Sequence, residues 1–468
     1  GTASVSGFLF PLITFPYVSR ILQPAGTGKV AFATSVISYF SMFAQLGIPT
    51  YGIRVCAGVR DDRAKLSSTV RELLGISLVM DGVSYALLMG ALLIIPRLRE
   101  DALLFIVISS TILLNSLGME WLFKALEQYR YITVRSLVFK AIALVAVFLM
   151  VKKESDVVLY GGISIFASSA SNLLNFFYAR KYVDLHKTHR LDWKRHLKPV
   201  LIFFALSCAA TVYTHLDALM LGFMTTDVDV GYYNAAVKVK TMLVSVVTSL
   251  GAVLLPRSSY YIKQGRMEDF RRMTCKALQF VILLAGALMV YFMLFADECI
   301  FLLSGEAYRD AILPMRIIMP TVLFIGLTNI LGIQILVPMG KEKTVLKSEI
   351  AGAVVDLVLN AVWIPSWRAA GAAMGTLLAE LVVLCVQYHA LKTEVRESLN
   401  GFHWGNLLLG LLLALAACFW IHLLSWPPVL SVPVSALLFF GTYGAWLLVR
   451  KEELVWEGIR QIQQRLQR

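Results

Sequence analysis

Apolar runs of about twenty residues, separated by short polar connections, repeat from one end of this sequence to the other. An α-helix of that length covers the roughly 30 Å hydrocarbon layer of a bilayer. Inside that layer every backbone N–H and C=O has to be satisfied within the element or its closed sheet. The runs lie near 3–22, 30–53, 70–95, 102–122, 135–152, 157–180, 198–224, 231–255, 275–302, 311–337, 347–365, 369–391, 404–425 and 430–450. Only 16% of the residues are charged, against about 25% in soluble domains, so most of the chain must face lipid or other membrane helices. The apolar–polar alternation of a membrane β-barrel is absent. The expected fold is therefore an all-α integral membrane protein with about fourteen spans.

The net charge of +13 would suit a nucleic-acid partner if it were clustered on one domain, but its placement argues against one. Every second connection is strongly basic, as in Arg54–Arg71, Lys124–Arg135, Arg180–Lys198, Arg257–Arg272 and Lys341–Lys347. The opposite connections offer little beyond Arg20, Lys29, Arg97, Arg99, Lys152, Lys153, Arg309 and Arg368. This is the positive-inside asymmetry, and it predicts that both termini are cytoplasmic. The first run ends in Arg20-Ile-Leu-Gln-Pro rather than a small-residue cleavage site, so it is not read as a signal peptide. The six cysteines have no CxxC spacing and read as packing residues.

A weak internal repeat runs through the chain. Gly161 to Tyr178 matches Gly371 to Tyr388, and Gly28-Lys-Val-Ala-Phe-Ala matches Gly231-Tyr-Tyr-Asn-Ala-Ala, each pair at the same place in its half. Glu127-Gln-Tyr-Arg-Tyr-Ile and Gly340-Lys-Glu-Lys-Thr-Val join equivalent spans. Two pseudo-symmetric six-helix lobes plus two extra helices follow, as parallel repeats about an axis along the membrane normal. The expected division is 1–195 for the first lobe, 196–392 for the second, and 393–468 for the last two spans and a tail. Gly371-x-x-x-Gly375 is a close-packing signal. Val455, Ile459, Ile462 and Leu466 share one helical face of the tail, which is expected to lie along the inner membrane surface.

Several segments then resemble one known family. They include Pro16-Tyr-Val-Ser-Arg20-Ile-Leu, Gly47-Ile-Pro-Thr-Tyr-Gly-Ile-Arg54 with Arg60-Asp-Asp, and Trp121-Leu-Phe-Lys-Ala-Leu-Glu-Gln-Tyr-Arg130. Leu216-Asp-Ala-Leu-Met-Leu-Gly222, Gly231-Tyr-Tyr-Asn-Ala-Ala-Val-Lys238 and Leu254-Leu-Pro-Arg-Ser continue the likeness. The chain resembles the polysaccharide flippases, which handle O-antigen and other lipid-linked oligosaccharides, within the multidrug/oligosaccharidyl-lipid/polysaccharide exporter superfamily. The resemblance implies two six-helix bundles around a central cavity, alternating access, and a polyprenyl-pyrophosphate oligosaccharide as cargo. It implies a bacterial or archaeal cytoplasmic membrane, with membrane lipids and other polysaccharide-assembly proteins as further partners.

A charge near the bilayer centre costs about 2.5–3.5 kcal/mol on insertion scales, so one that persists usually faces a cavity or a partner. Lys238 and Lys240 lie seven and nine residues into the eighth run, roughly 10–14 Å deep at 1.5 Å per residue. Asp217 lies at the depth of Lys238, and a buried Asp217–Lys238 ion pair is one reading of both. Lys240 is then the freer cation for substrate phosphate. Arg20 suits bidentate phosphate binding but reads equally as snorkelling to the interface. Arg54 would receive the head group at the inner face, or serve as an ordinary positive-inside residue. Lys140 and Arg316 read as snorkelling, and Asp81 has no partner recognisable from sequence.

The substrate-binding candidates are thus Arg20, Arg54, Lys238 and Lys240. Asp356 and Asn360 share a face at i, i+4, as do Thr376 and Glu380. With Asp217 they form a candidate Na⁺ or H⁺ coupling site; lobe packing is the plainer reading. No catalytic residue, metal site or organic cofactor is expected. Asp227-Val-Asp229 spells a glycosyltransferase DxD, but in a tight outer turn without a nucleotide domain. His186, His189 and His196 sit in a basic connection without metal-ligand spacing, and read as a solvated run facing lipid head groups. The rivals are a multidrug exporter of the same superfamily, a membrane-embedded sugar polymerase or glycosyltransferase, and a scaffold subunit whose charges are silent ion pairs.

Overall fold

Backbone polar groups are satisfied along helices throughout, and the described residues of the computed structural model contain no strand. Those residues are 2–184, 192–400, 402–424 and 426–450. The expected tail helix with Val455, Ile459, Ile462 and Leu466, and the loop residues His186 and His189, lie outside them. The chain divides into two compact units, Gly1–Asn234 and Ala235–Arg468.

The first unit contains α1 (Thr2–Gln45), α2 (Ile48–Ala57), α3 (Arg63–Ile94), α4 (Pro96–Arg99), α5 (Ala102–Gly118) and α6 (Glu120–Ala125). It continues with α7 (Tyr129–Met150), α8 (Val157–Ile165), α9 (Asn172–Ala179) and α10 (Lys194–Met224), and takes in the start of α11 (Asp227–Lys263). A π-helical stretch, Phe166–Ala170, joins α8 to α9. The second unit contains α12 (Met267–Leu294), α13 (Ala296–Ser304), α14 (Ile312–Ile318) and α15 (Pro320–Thr328). It ends with α16 (Glu342–Ala390), α17 (Lys392–Ser398), α18 (Trp404–Cys418) and α19 (Pro428–Val449).

Among the described residues ten helices are long and apolar enough to cross a membrane, or eleven if the bent pair Glu306–Ile318 and Pro320–Leu336 counts as one span. Two of these are too long to be single crossings. A straight α16 of 49 residues would be about 74 Å long, more than twice the hydrocarbon thickness. It folds back at Arg368, where φ is 48°. Gln387 Nε2 donates to Ser348 Oγ at 3.0 Å, a contact between residues that a straight helix would hold far apart. The close approach expected of Gly371 and Gly375 lies within this hairpin: a Cβ on Gly371 would stand 2.5 Å from the Trp363 carbonyl oxygen. Likewise α1, with 44 residues, breaks at Gln23, where φ is 58° and ψ 174°.

The motifs at the basic end of the first unit pack on one another. A Cβ on Gly52 would enter the Trp121 ring at 2.8 Å, so α2 lies tight against α6. Gly47 takes φ 74° and its backbone abuts that of Phe203 and Phe204. Arg60 and Glu127 pair at 2.9 Å. Asp62 caps α3 by accepting from the backbone N–H of Lys65 and Ala64; the Lys65 bond is the main reason its carboxyl lies below the usual carboxylate range.

At the opposite end the break in α1 meets the start of α11. A Cβ on Gly28 would stand 1.7 Å from the Asp227 carbonyl oxygen, and one on Gly231 would stand 2.1 Å from that of Pro24. Arg97 closes this region: it pairs with Asp227, donates from Nε to the Gly222 carbonyl at 3.0 Å, and lies 5.0 Å over the Phe32 ring. Lys29 and Asp101 form a second tie at 2.8 Å. The two aspartates of the DxD therefore open a helix: Asp227 pairs with Arg97, and Asp229 Oδ2 accepts from the Thr226 hydroxyl at 2.8 Å.

The second unit is held by buried tyrosines, each with its hydroxyl on a neighbouring helix. Tyr291 of α12 donates to the Val432 carbonyl at 2.9 Å and meets Ser435 Oγ at the same distance. Tyr443 of α19 donates to the Leu283 carbonyl at 3.1 Å.

A methyl group at Gly231 has nowhere to go but into backbone. Gly231→Ala is expected to destabilise the protein by about 1–3 kcal/mol or prevent folding, read as a lower melting temperature in detergent. Gly82, with nothing within 4 Å of its would-be Cβ, is the control: Gly82→Ala should hold or raise the melting temperature.

Candidate functional site

A cavity of about 460 Å³ opens within the first unit, walled by α1, α5, α10 and the segment around the π-helical stretch. Its size falls in the roughly 300–1,000 Å³ range of small-molecule sites. The wall is built from polar stripes on helices that are otherwise apolar. Thr34, Ser38, Ser41 and Gln45 follow i, i+4, i+7, i+11 on α1; Thr111 and Asn115 follow i, i+4 on α5; Ser207, Thr211 and His215 follow i, i+4, i+8 on α10. At 100° per residue each set keeps to one face.

The fourth wall depends on the π-helical turn. Its wider spacing presents Ser168 to the cavity and places Ser169 Oγ 2.9 Å from Thr111 Oγ1. Such turns occur mostly as single insertions in α-helices and frequently at functional sites. Behind the wall, Asn172 Nδ2 donates to Asn115 Oδ1 at 3.0 Å, and buried Asn175 donates to the Gly118 carbonyl at 2.8 Å.

The hydroxyls are satisfied locally while keeping acceptor capacity. Ser38 donates to the Thr34 carbonyl at 2.8 Å and Ser207 to the Phe203 carbonyl at 3.1 Å, the back-bonding expected of serine within a helix. Gln45 Nε2 donates to Ser41 Oγ at 3.0 Å. Among the described residues that line the cavity none is Asp, Glu, Lys or Arg. Apart from the imidazole of His215, its side chains can only exchange neutral hydrogen bonds with a ligand.

The residues expected from sequence fall elsewhere. Arg20 is exposed near the end of the first arm of α1, donating to the Pro16 carbonyl at 2.6 Å. Arg54 is exposed on the last turn of α2. Neither is among the described residues lining the cavity. Lys238 and Lys240 are half-buried on α11 in the second unit. Asp217 is buried on α10 and accepts a hydrogen bond from the Tyr233 hydroxyl, a partner the sequence reading did not identify. Asp356, Asn360, Thr376 and Glu380 are all buried on α16. A Cβ on Gly375 would stand 2.3 Å from Asn360 Oδ1 and 3.2 Å from Asp356 Oδ1.

Two readings require revision. Asp81 has a partner: Ser116 Oγ donates to its Oδ1 at 2.8 Å, joining α3 to α5. His196 is not a solvated residue. It is 2% exposed, with Nδ1 at 2.8 Å from the Tyr51 hydroxyl and Nε2 at 2.8 Å from Glu72 Oε2. Glu72 also accepts from Arg195 Nε at 2.9 Å and from the Asp192 backbone at 2.9 Å. The basic connection thus turns one histidine inward, because a buried carboxylate of α3 requires donors. Among the described residues no group of His, Cys, Asp or Glu is arranged to hold a metal ion.

With this arrangement in view, the sequence was compared with known proteins. The pattern of the family described as "Polysaccharide biosynthesis protein" matches residues 1–262, more than half of the chain. The chain belongs to that family. Residues 203–362, which overlap the end of this region and continue beyond it, also match the MatE family. A putative O-antigen transporter of Escherichia coli (strain K12) is 24% identical over 389 residues, covering 81% of this chain and 91% of that one. In fold, this family member is similar to the lipid II flippase MurJ in an inward closed conformation, with TM-score 0.73 and 13% identity over 97% of this chain and 98% of that one. An inward-facing multidrug resistance MATE transporter gives 0.64 and 14% identity over 83% and 95%.

Removing the carboxylate under His196 tests its structural role. Glu72→Ala should cost of order 3 kcal/mol, because it leaves buried donors without an acceptor. Glu127→Ala breaks the exposed pair with Arg60 and should cost less than about 1 kcal/mol. Thermal unfolding of the two variants in one detergent makes the comparison.

Proposed function

We propose that this protein is a flippase that moves a polyprenyl-pyrophosphate-linked oligosaccharide from the cytoplasmic to the outer leaflet, for assembly of a surface polysaccharide. The observation that carries the reading is a hydrogen-bonding cavity of about 460 Å³ set among membrane-spanning helices in a member of a polysaccharide biosynthesis family. The relationship to a putative O-antigen transporter supports the same cargo class. A multidrug exporter for cationic compounds would be expected to bring carboxylates to its cavity, and the described lining residues include none.

The proposed topology has fourteen spans with both termini cytoplasmic: the eleven membrane-length segments that include the bent pair, α1 and α16 each counted as two, and α11 added. Two six-helix lobes would alternate access to the cargo, with the polyprenyl tail left in lipid. Lys240, Arg20 and, in a lesser role, Lys238 would replace the water around the pyrophosphate, and Arg54 would receive it at the inner face. An inside-negative potential favours outward movement of anions by about 2.3 kcal/mol per charge per 100 mV, or roughly 5 for two charges. That bias acts only if the protein's cations do not travel with the cargo. Asp356, Asn360, Thr376 and Glu380, with Asp217, form the proposed Na⁺ or H⁺ coupling set, and other polysaccharide-assembly proteins are proposed partners.

The direct test is reconstitution in liposomes with a fluorescent lipid-linked oligosaccharide, scoring its appearance in the opposite leaflet. Protein-dependent movement is expected, and its absence for every lipid-linked glycan tried would remove the proposal. Lys240→Ala should reduce the rate at normal expression; an unchanged rate excludes Lys240 from the phosphate site.

A further inference from the structure

We infer that the cavity of the first unit is the seat of the uncharged sugar portion of the cargo, and that the pyrophosphate is held elsewhere. The inference rests on the flippase reading and adds to it a division of the ligand. A phosphate transferred from water needs charged or strongly polarised donors, and the described lining includes no Lys or Arg. A sugar carries many hydroxyls that both donate and accept, and this wall matches that property. Ser38 and Ser207 already donate to their own helices, so their free lone pairs can accept from sugar hydroxyls. Ser168 and Thr34 are exposed to the cavity although each lies well inside a membrane-length helical segment.

Convergence distinguishes this wall from scattered small residues. Four separate helical segments contribute, and one does so through a π-helical turn that departs from regular helix where Ser168 and Ser169 are needed. Apolar side chains complete the lining: Ile37, Met42, Ile108 and Ile165. They suit the C–H faces of a pyranose ring, which are as much a part of a sugar as its hydroxyls. A substrate with an acidic sugar at this position would bring a carboxylate where no counter-charge waits, so neutral sugars are the expected class.

The test uses Thr34→Val, Ser168→Ala and Thr211→Val together, which remove three hydroxyls with little change of shape. Binding is measured on the full-length protein in lipid nanodiscs with two probes: a polyprenyl pyrophosphate bearing a neutral N-acetylhexosamine oligosaccharide, and the same lipid without sugar. The triple variant should bind the glycan probe about tenfold more weakly than wild type, at roughly 1 kcal/mol per lost bond with partial compensation, and the sugar-free probe within about twofold. Equal weakening for both probes, or none for the glycan probe, overturns the inference. A melting temperature equal to wild type shows that the variant folds. Should it unfold, Ser168→Ala alone carries the same comparison. Because the readout is binding, it judges the sugar seat even if liposome transport fails, and transport without a sugar-dependent difference leaves the flippase reading standing alone.

Discussion

The first unit depends on a place where backbone meets backbone. Pro24 to Gly28, at the break in α1, lies against Asp227 to Gly231, at the start of α11, closely enough that neither glycine has room for a methyl group. The two glycines open the matched segments Gly28-Lys-Val-Ala-Phe-Ala and Gly231-Tyr-Tyr-Asn-Ala-Ala. Side-chain locks gather around it. Phe32, between Gly222 and Phe223, carries Arg97 on its ring, and Arg97 in turn neutralises Asp227. Two of the sparse basic residues at this end, Lys29 and Arg97, are thus occupied in holding elements together.

At the other end the same physical problem has a different solution. Glu72 is a carboxylate at 2% exposure, and the chain supplies it with an imidazole and a guanidinium from the start of α10 and a backbone N–H from Asp192, two residues before it. Between these two polar ends, hydrogen bonds of side chains such as Asp81–Ser116 and Tyr85 to the Ser109 carbonyl tie α3 to α5. The cavity thus sits in a frame with ion pairs at its ends, and its own described lining includes no Asp, Glu, Lys or Arg.

Much of the fold was legible because lipid permits little else: long apolar runs become helices, ten or eleven of them of membrane length among the described residues. Gly28 and Gly231 stand out in the sequence as the openings of matched segments, although nothing there says that these two residues meet. The reversal in α16 was legible too: Arg368 falls between the expected runs 347–365 and 369–391, flanked by Pro365 and Gly371. The reading of the site favoured isolated charges, because a single lysine in an apolar run is conspicuous. Hydroxyls are not, since any serine can bond its own helix and pass for packing. The signal was nevertheless present as Thr34, Ser38, Ser41 and Gln45 at helical period. Only the convergence of three further segments gives that stripe meaning. His196 was misread for the opposite reason: its neighbours in sequence are basic and polar, while its neighbours in space are Tyr51 and Glu72.

The π-helical turn at Phe166–Ala170 has a consequence for how such a chain can change over evolutionary time. A turn of this kind holds one residue more than a regular α turn and absorbs it locally, so deleting that residue would restore ordinary helix while leaving the segments on either side in phase. Only the side chains inside the turn, Ser168 and Ser169 among them, would change direction. A one-codon deletion here re-aims one wall of the cavity without disturbing the helices that flank it, a larger step than any point substitution allows. Lineages whose surface sugars diverge would be expected to differ in length at this turn as well as in the identity of the residues around it.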